Sequence, residues 1–454
     1  MDLEFIKREI EKYKIQYWDC RYSRINSSNI LLWNKELRQI GEESFEGVGV
    51  RVLTGNGWGF SSTTKTDKES LRKIIKQAVK ISKLLNRGNK KIFFGELKGI
   101  KDIKQIKGKK NIENISLEEK KNFLLEQKYN LNGPIKSIYL KYRDRIEKKI
   151  FLNSLSEIHQ SVNSVYLAGG ISAFDSGKSE EQMFRKTGLG GFENLKNTQE
   201  EIDNAISKTK TFLYAKNIRS GKYDVILSGG LTGLFVHEAL GHAAEADHVL
   251  QDASCLKELM GKKLAGENVN ILDDPTQDDF NGWGSYYYDD EGTKARKNYI
   301  ILKGRLNSYL HTLETSKELG MLPTGNARAE NSLAKPIARM SNTYVEKGDY
   351  SFNELIEKIK NGYLLKGFKG GETDPAGGGF QFGASESYYV KNGKIIEAMR
   401  GAGIGGKTLD TLKNIKFVEN KYSEDSPGFC GKMGQRVFAG GNNPAVFVKG
   451  IVLI

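Results

Sequence analysis

The stretch YDVILSGGLTGLFVHEALGHAAEAD, residues 223–247, decides how this chain is read. Its first eight residues form an apolar, β-branched run that ends in a glycine pair, the pattern of a strand running into a tight turn. Leu231, Leu234 and Phe235 then recur at helical spacing, so residues 231–247 read as a helix with one buried side. On that helix lie His237, Glu238 and His242. Two imidazoles and a carboxylate are the groups that hold a metal and activate water. In the familiar HExxH motif the histidines lie four apart, roughly 40° around the helix, so both rings face one ion. Here the gap is five, which on an ideal helix separates His237 from His242 by about 140°.

Two readings follow. Either the histidines are ordinary solvated or core residues, or the helix is deformed so that one inserted residue turns His242 back toward His237. Glycine tolerates unusual dihedrals, and Gly241 between the histidines is placed to accommodate a π-type bulge. Glu238 would then be positioned to take a proton from an attacking water, and Glu245 and Asp247 to hold the ring N–H groups.

Outward from this segment the chain divides. The part after residue 220 continues with a helix expected around CLKELMGKKL (255–264), a strand VNILDD (269–274), and many short glycine-punctuated strands to the C-terminus. That punctuation favours an antiparallel, β-rich domain over a doubly wound one. Before it, residues 2–14 read as a helix. QYWDCRYSR (16–24), NILLWNKEL (29–37) and FEGVGVRVLT (45–54) read as strands, followed by a turn at Gly55–Gly59. SLRKIIKQAVKISKLL (70–85) is a helix that brings Leu71, Ile74, Ile75 and Val79 together. The charged, repetitive stretch to about residue 133 reads as a linker with one helix, SLEEKKNFLLEQK (116–128). Residues 137–186 alternate as an antiparallel meander, and a helix from residue 198 leads to a boundary near 219–222. The expectation is an α+β chain. An N-terminal region spans 1–219, with subparts of about 1–95 and 130–219 joined by the charged linker, and a β-rich catalytic domain spans 220–454.

Composition narrows the function classes. The 454 residues suffice for two or three domains with substantial cores. Three scattered cysteines, Cys20, Cys255 and Cys430, form no disulfide framework and point to a reducing compartment. The charged N-terminus has no apolar signal region, and no span approaches ~18 uncharged apolar residues. A cytoplasmic protein without membrane partners is expected. The net charge of +14 raises the question of nucleic acid. The lysines, however, alternate with glutamates along the whole chain, the pattern of a solvated face, and no nucleic-acid-binding motif accompanies them.

Gly401–Thr408, GAGIGGKT, fits the phosphate-binding pattern G-x-x-x-x-G-K-[ST] and follows a strand-like KIIEAMR. Its context argues against nucleotide binding. The preceding strand is charged, no apolar run ending in Asp follows, and only 46 residues remain after Thr408. Two further alternatives stand beside a metal enzyme: a thiol hydrolase with Cys430 as nucleophile, and a non-catalytic protein that binds DNA or a protein partner.

The segment HEALGHAAEAD (237–247) resembles the HExxxH segment of the TldD/PmbA metallopeptidases, also called modulators of DNA gyrase. The resemblance extends in order through GVGVRVLTGNGWGFSST (47–63), SYYYDDEG (285–292), TGNARAE (324–330) and RMSNTYVEKGDYSFNELIEKIKNG (339–362). It continues in GGETDPAGGGFQFGASESYYVKNGK (370–394) and SPGFCGKMGQ (426–435), covering nearly the whole chain. Because HExxxH marks the TldD-type chains, this one is TldD-like. The resemblance implies a zinc peptidase acting on unfolded or short peptides, with His237, His242 and Cys430 as ligands and Glu238 as general base. It also implies a dimer, formed with itself or with a PmbA-type chain.

Overall fold

Alternation in the first half builds strands much longer than the sequence segments that suggested them. The structure is a computed structural model that describes residues 2–86 and 99–454. Helix α1 (Leu3–Ile10) is capped by Asp2, whose side chain accepts from the Phe5 N–H. Strands β1 (Tyr17–Trp33), β2 (Glu36–Thr54) and β3 (Gly57–Thr63) follow, then α2 (Lys68–Leu85). After the charged stretch come β4 (Lys101–Ile106), α3 (Leu117–Leu125), β5 (Ile135–Asn153), β6 (Glu157–Asp175), β7 (Lys178–Leu189) and α4 (Thr198–Tyr214).

The seven strands form one sheet in the order β3-β2-β1-β5-β6-β4, with β7 also on β6. The pairings are antiparallel except that of β4 with β6. Helix α2 lays Leu71, Ile74, Ile75 and Val79 on Val48, Val50 and Val52, as its period required. The helix comes so close that a Cβ on Gly59 would run into the Ala78 carbonyl, so this glycine serves β3 rather than a turn.

Two expectations about this half change. The segments on either side of the charged stretch share a single sheet, because β1 pairs directly with β5. The charged stretch is also not all linker. KDIKQI forms edge strand β4, where the exposed Lys101 and Gln105 and the half-buried Asp102 and Lys104 suit an edge kept charged and polar. Residues 87–98 of the expected linker lie outside the described residues.

The second half is built on a ten-stranded mixed sheet. Its central strand, Gly221–Leu227, pairs in parallel with Asn361–Lys366 and antiparallel with Val446–Leu453. The chain leaves that strand into helix α5 (Gly229–Phe235), whose Leu231 and Phe235 are fully buried in the largest apolar cluster. A four-stranded sheet that includes Ile271–Asp273 packs beside it. Helices and predominantly antiparallel sheets together make an α+β fold. No helix among the described residues is long and apolar enough to cross a membrane.

Two sequence expectations fail here. CLKELMGKKL forms turns, with Glu258 at φ 64° and Gly261 at φ 75°. The N–H groups of Gly261 and Leu264 donate to the carbonyls of Leu306 and Gly304, those of Lys257, Leu259 and Lys262 close single turns onto the residue three before, and Leu256 and Leu264 are buried. The phosphate-loop pattern also dissolves. Gly403–Lys407 is a sheet strand between two antiparallel neighbours, Lys407 donates to the Gly377 carbonyl, and the buried Thr408 hydroxyl donates to the carbonyls of Ala239 and Gly378. A phosphate-binding loop is an open turn with a free lysine, whereas here Gly403–Lys407 is itself an antiparallel strand and Lys407 is bonded to Gly377.

Candidate metal centre

The helix that begins at Gly229 does change period. Between Val236 and Gly241 it widens into one π turn before resuming as His242–Ala244, so the extra residue is absorbed where the spacing required it. The reason for Gly241 differs from the one expected. Its dihedrals are ordinary helical values, φ −61° and ψ −47°. A Cβ there would collide with Met340 Sδ, so the glycine is needed for close packing and not for backbone freedom. The wider turn is held from outside, since the carbonyls of Glu238 and Ala239 accept from the hydroxyls of Thr373 and Thr408 at 3.2 and 3.1 Å.

The deformation brings the two rings together. The centroids of His237 and His242 lie 5.3 Å apart and the rings are nearly perpendicular. Cys430 arrives from the strand Gly428–Lys432, and its Sγ lies 3.5 Å from His242 Nε2. One donor atom from each of His237, His242 and Cys430 lies within 4.8 Å of the others. Zinc bonded to sulfur at ~2.3 Å and to nitrogen at ~2.0–2.1 Å in tetrahedral geometry holds such donors about 3.6 Å apart, so the sulfur–nitrogen spacing fits a shared ion. Three protein ligands of this kind leave a fourth position for water or substrate.

The surroundings fix the protonation pattern. Glu245 is fully buried, and its Oε2 lies 2.9 Å from His242 Nδ1, leaving Nε2 directed at the sulfur. Lys432 Nζ contacts Glu245 Oε2 at 3.0 Å and Asp247 Oδ1 at 2.6 Å, and donates to the Ala338 carbonyl. Burial raises the Glu245 carboxyl, but His242 and Lys432 oppose it and hold it at about 2. Burial also pushes the Cys430 thiol up, yet the adjacent His237 and His242 rings bring it well below its ordinary value. Burial pulls His242 down while Glu245 and Cys430 raise it well above the usual imidazole range. The three groups are thus coupled: the rings favour loss of the thiol proton, and the sulfur favours protons on the rings, so a cation that takes the place of those protons meets a sulfur already biased toward its deprotonated form.

Glu238 sits beside His237, partly exposed, with Oε2 3.9 Å from His242 Nε2. Both Glu238 and His237, together with Cys430, line a cleft of about 560 Å³ whose far wall comes from β6 and β7. The sequence thus anticipated the residues that meet, with one correction. Asp247 accepts from Lys432 and from the His248 N–H, so it positions the lysine instead of a histidine ring.

Lys432, Arg339 and the two threonines were not anticipated. Arg339 donates to the Cys430 carbonyl and is fully buried. A signal for Lys432 existed: it stands two residues after Cys430, and strand period 2 places both on one face. Cys20 is buried in β1 within the apolar cluster under α2, and Cys255 lies in a turn beside Gly378, so neither joins the histidines.

The chain and its fold are similar to known proteins. Residues 220–453 match the family model described as the PmbA/TldA metallopeptidase C-terminal domain, and residues 18–82 match domain 1 of the same metallopeptidases. A metalloprotease of Methanocaldococcus jannaschii is 38% identical over 97% of both chains. A protein of Saccharolobus solfataricus named zinc metalloprotease TldD homolog is 33% identical over 98% of both. Among solved structures, a proposed modulator of a DNA gyrase from Thermotoga maritima superimposes with TM-score 0.81 at 22% identity, covering 99% of each chain. TldE from Thermococcus kodakarensis gives 0.76 at 18% identity, covering 99% of this chain and 98% of its own.

Proposed function

Since the chain belongs to the PmbA/TldD metallopeptidase family, we propose that it is a zinc-dependent peptidase that hydrolyses unfolded or short peptides. The observation that carries this reading is the convergence of two imidazoles and one cysteine sulfur on the wall of a cleft, with a carboxylate beside them. The zinc in the name of the Saccharolobus relative agrees with that donor set.

His237, His242 and Cys430 would hold the ion, and Glu245 would keep His242 in the tautomer that presents Nε2. Bound zinc supplies a Lewis acid and lowers the pKa of water at its open position. Glu238 accepts the proton of the attacking water and returns it to the leaving amine, a role that needs its partly exposed place on the cleft side of the cluster. A cleft of about 560 Å³ has room for a few side chains and not for a folded domain, which favours extended chain as substrate. On the same reading the working unit is a dimer, of this chain or with a PmbA-type chain. Light scattering of the purified protein, alone and with such a partner, measures that.

The thiol-hydrolase alternative uses the same sulfur and has the 3.5 Å contact with His242 in its favour. Metal decides between them. Metal analysis should find about one zinc per chain, and a chelator should abolish peptide hydrolysis until zinc is restored. Glu238→Gln should keep the zinc and lose at least ~10²-fold in kcat, the scale of a positioned base. Hydrolysis that persists in the metal-free protein, or in zinc-loaded Glu238→Gln, overturns the reading.

A further inference from the structure

Three large apolar side chains left in solvent by the fold converge on the cleft beside the metal centre. Met183, Phe368 and Phe429 are 49%, 37% and 41% exposed, and all three line the same cavity. They come from distant parts of the chain: β7 of the N-terminal sheet, the loop after Asn361–Lys366, and the strand that also carries Cys430. Scattered exposed apolar residues are ordinary, but a convergent set in a concave site is a recognition surface.

The rings are also held in place. Phe429 packs against Tyr166, Trp283 and Phe438 at centroid distances of 5.6, 6.1 and 5.4 Å, and the Arg185 guanidinium lies 5.2 Å from the centre of the Phe368 ring. Most of the charged lining, by contrast, is already engaged. Glu424 pairs with Lys366 and accepts from Ser228, Glu386 pairs with Lys208, and Asp425 accepts from the N–H groups of Ser426 and Gly441. Apart from Glu238 at the metal centre and the Arg185 guanidinium over the Phe368 ring, the cleft leaves mainly apolar surface for a substrate side chain.

We propose that the cleft selects peptides by a bulky apolar side chain next to the scissile bond, seated against Met183, Phe368 and Phe429. The N-terminal sheet thereby sets the specificity of a site whose metal and base belong to the other half of the chain. The inference rests on the peptidase reading above, and it gives a reason for a taste for unfolded chains, in which such side chains are uncovered.

The test uses the full-length, zinc-loaded protein and one quenched-fluorescence peptide framework that varies a single residue among Phe, Leu, Ala, Ser and Asp. Phe and Leu peptides should exceed Ser and Asp peptides about 10-fold or more in kcat/KM, the scale on which apolar pockets discriminate. That ratio should collapse in Met183→Ser and Phe429→Ala, chiefly through KM. Because Phe429 is packed in an aromatic cluster, Met183→Ser on an exposed strand position is the decisive variant. Hydrolysis without the preference, or a preference untouched by Met183→Ser, overturns the inference and leaves the peptidase reading standing. If no peptide is cut, the peptidase reading fails instead. Fluorescence anisotropy of the same peptides on zinc-loaded protein then decides this inference: tighter binding of Phe and Leu peptides upholds it and equal binding overturns it.

Discussion

Cys430 and Cys255 show at the scale of single residues how much position matters. Cys430 lies on a strand beside two imidazoles, whereas Cys255 sits in a turn whose N–H donates to the Pro375 carbonyl, away from both rings. Cys430→Ala should therefore lose zinc and activity together, while Cys255→Ala keeps about one zinc per chain by metal analysis. Loss of zinc in the second variant alone would reverse the ligand assignment. His311 carries a prediction about pH. Its ring is buried, Nε2 has no hydrogen-bond partner among the described residues, and burial with the nearby Arg296 lowers its pKa from 6.5 to about 4. The folded state then binds fewer protons than the unfolded chain between those values. The stabilisation is full above pH 6.5 and is lost as pH falls toward 4, by about 3 kcal/mol at most. Unfolding free energy against pH should fall less steeply across this window in His311→Gln than in the original protein. Equal slopes would mean that the ring is not held neutral.

The π turn at Val236–Gly241 is the element on which the site depends. Its register is enforced by Thr373 and Thr408 on the carbonyl side and by Met340 against Gly241. Gly241→Ala should destabilise the protein by about 1–3 kcal/mol, the cost of overpacking a filled core. Met340→Ala in the same chain should recover part of that loss, because the two changes relieve one contact. Urea unfolding of the two single variants and the double variant measures the coupling. Strict additivity would show that Gly241 is needed for its backbone after all. Helical periodicity identified the segment as a helix and identified the spacing as anomalous. It could not say which outside contacts hold the wider turn, since these come from residues more than 95 positions away.

At the scale of the whole molecule, one buried charge network ties the two halves together. Arg51 of β2 donates to Asp19 of β1 at 2.6 and 2.8 Å and to Glu291 of the second half at 2.5 Å, with all three side chains at most 1% exposed. The guanidinium also lies 4.5 Å from the centre of the Trp58 ring, and Glu291 Oε2 accepts from the Leu313 N–H. Arg51→Met would leave two buried carboxylates facing an apolar side chain, which should cost about 3–5 kcal/mol. Replacing Asp19 and Glu291 with Asn and Gln in the same chain should restore much of it. A thermal unfolding series across these variants checks this, and no loss in Arg51→Met would mean that water reaches the network.

Sequence alone determined the features that local periodicity and residue chemistry encode. The strand character of residues 17–54, the apolar face of α2 and the proximity of His237, Glu238 and His242 were legible, because strand alternation and helical spacing act within a few residues; the strand lengths were not, since NILLWNKEL holds the end of β1, the turn at Asn34 and Lys35 and the start of β2. Cys430 was legible only through resemblance, since no local rule joins a sulfur to rings 188 positions away. Tertiary structure decided the rest. It turned KDIKQI into an edge strand and CLKELMGKKL into turns, made a phosphate-loop pattern into a sheet strand, and assigned Asp247 to Lys432. In each case a backbone or charged group found its partner in a remote segment, and buried hydrogen-bonding groups must be satisfied wherever the fold brings a partner.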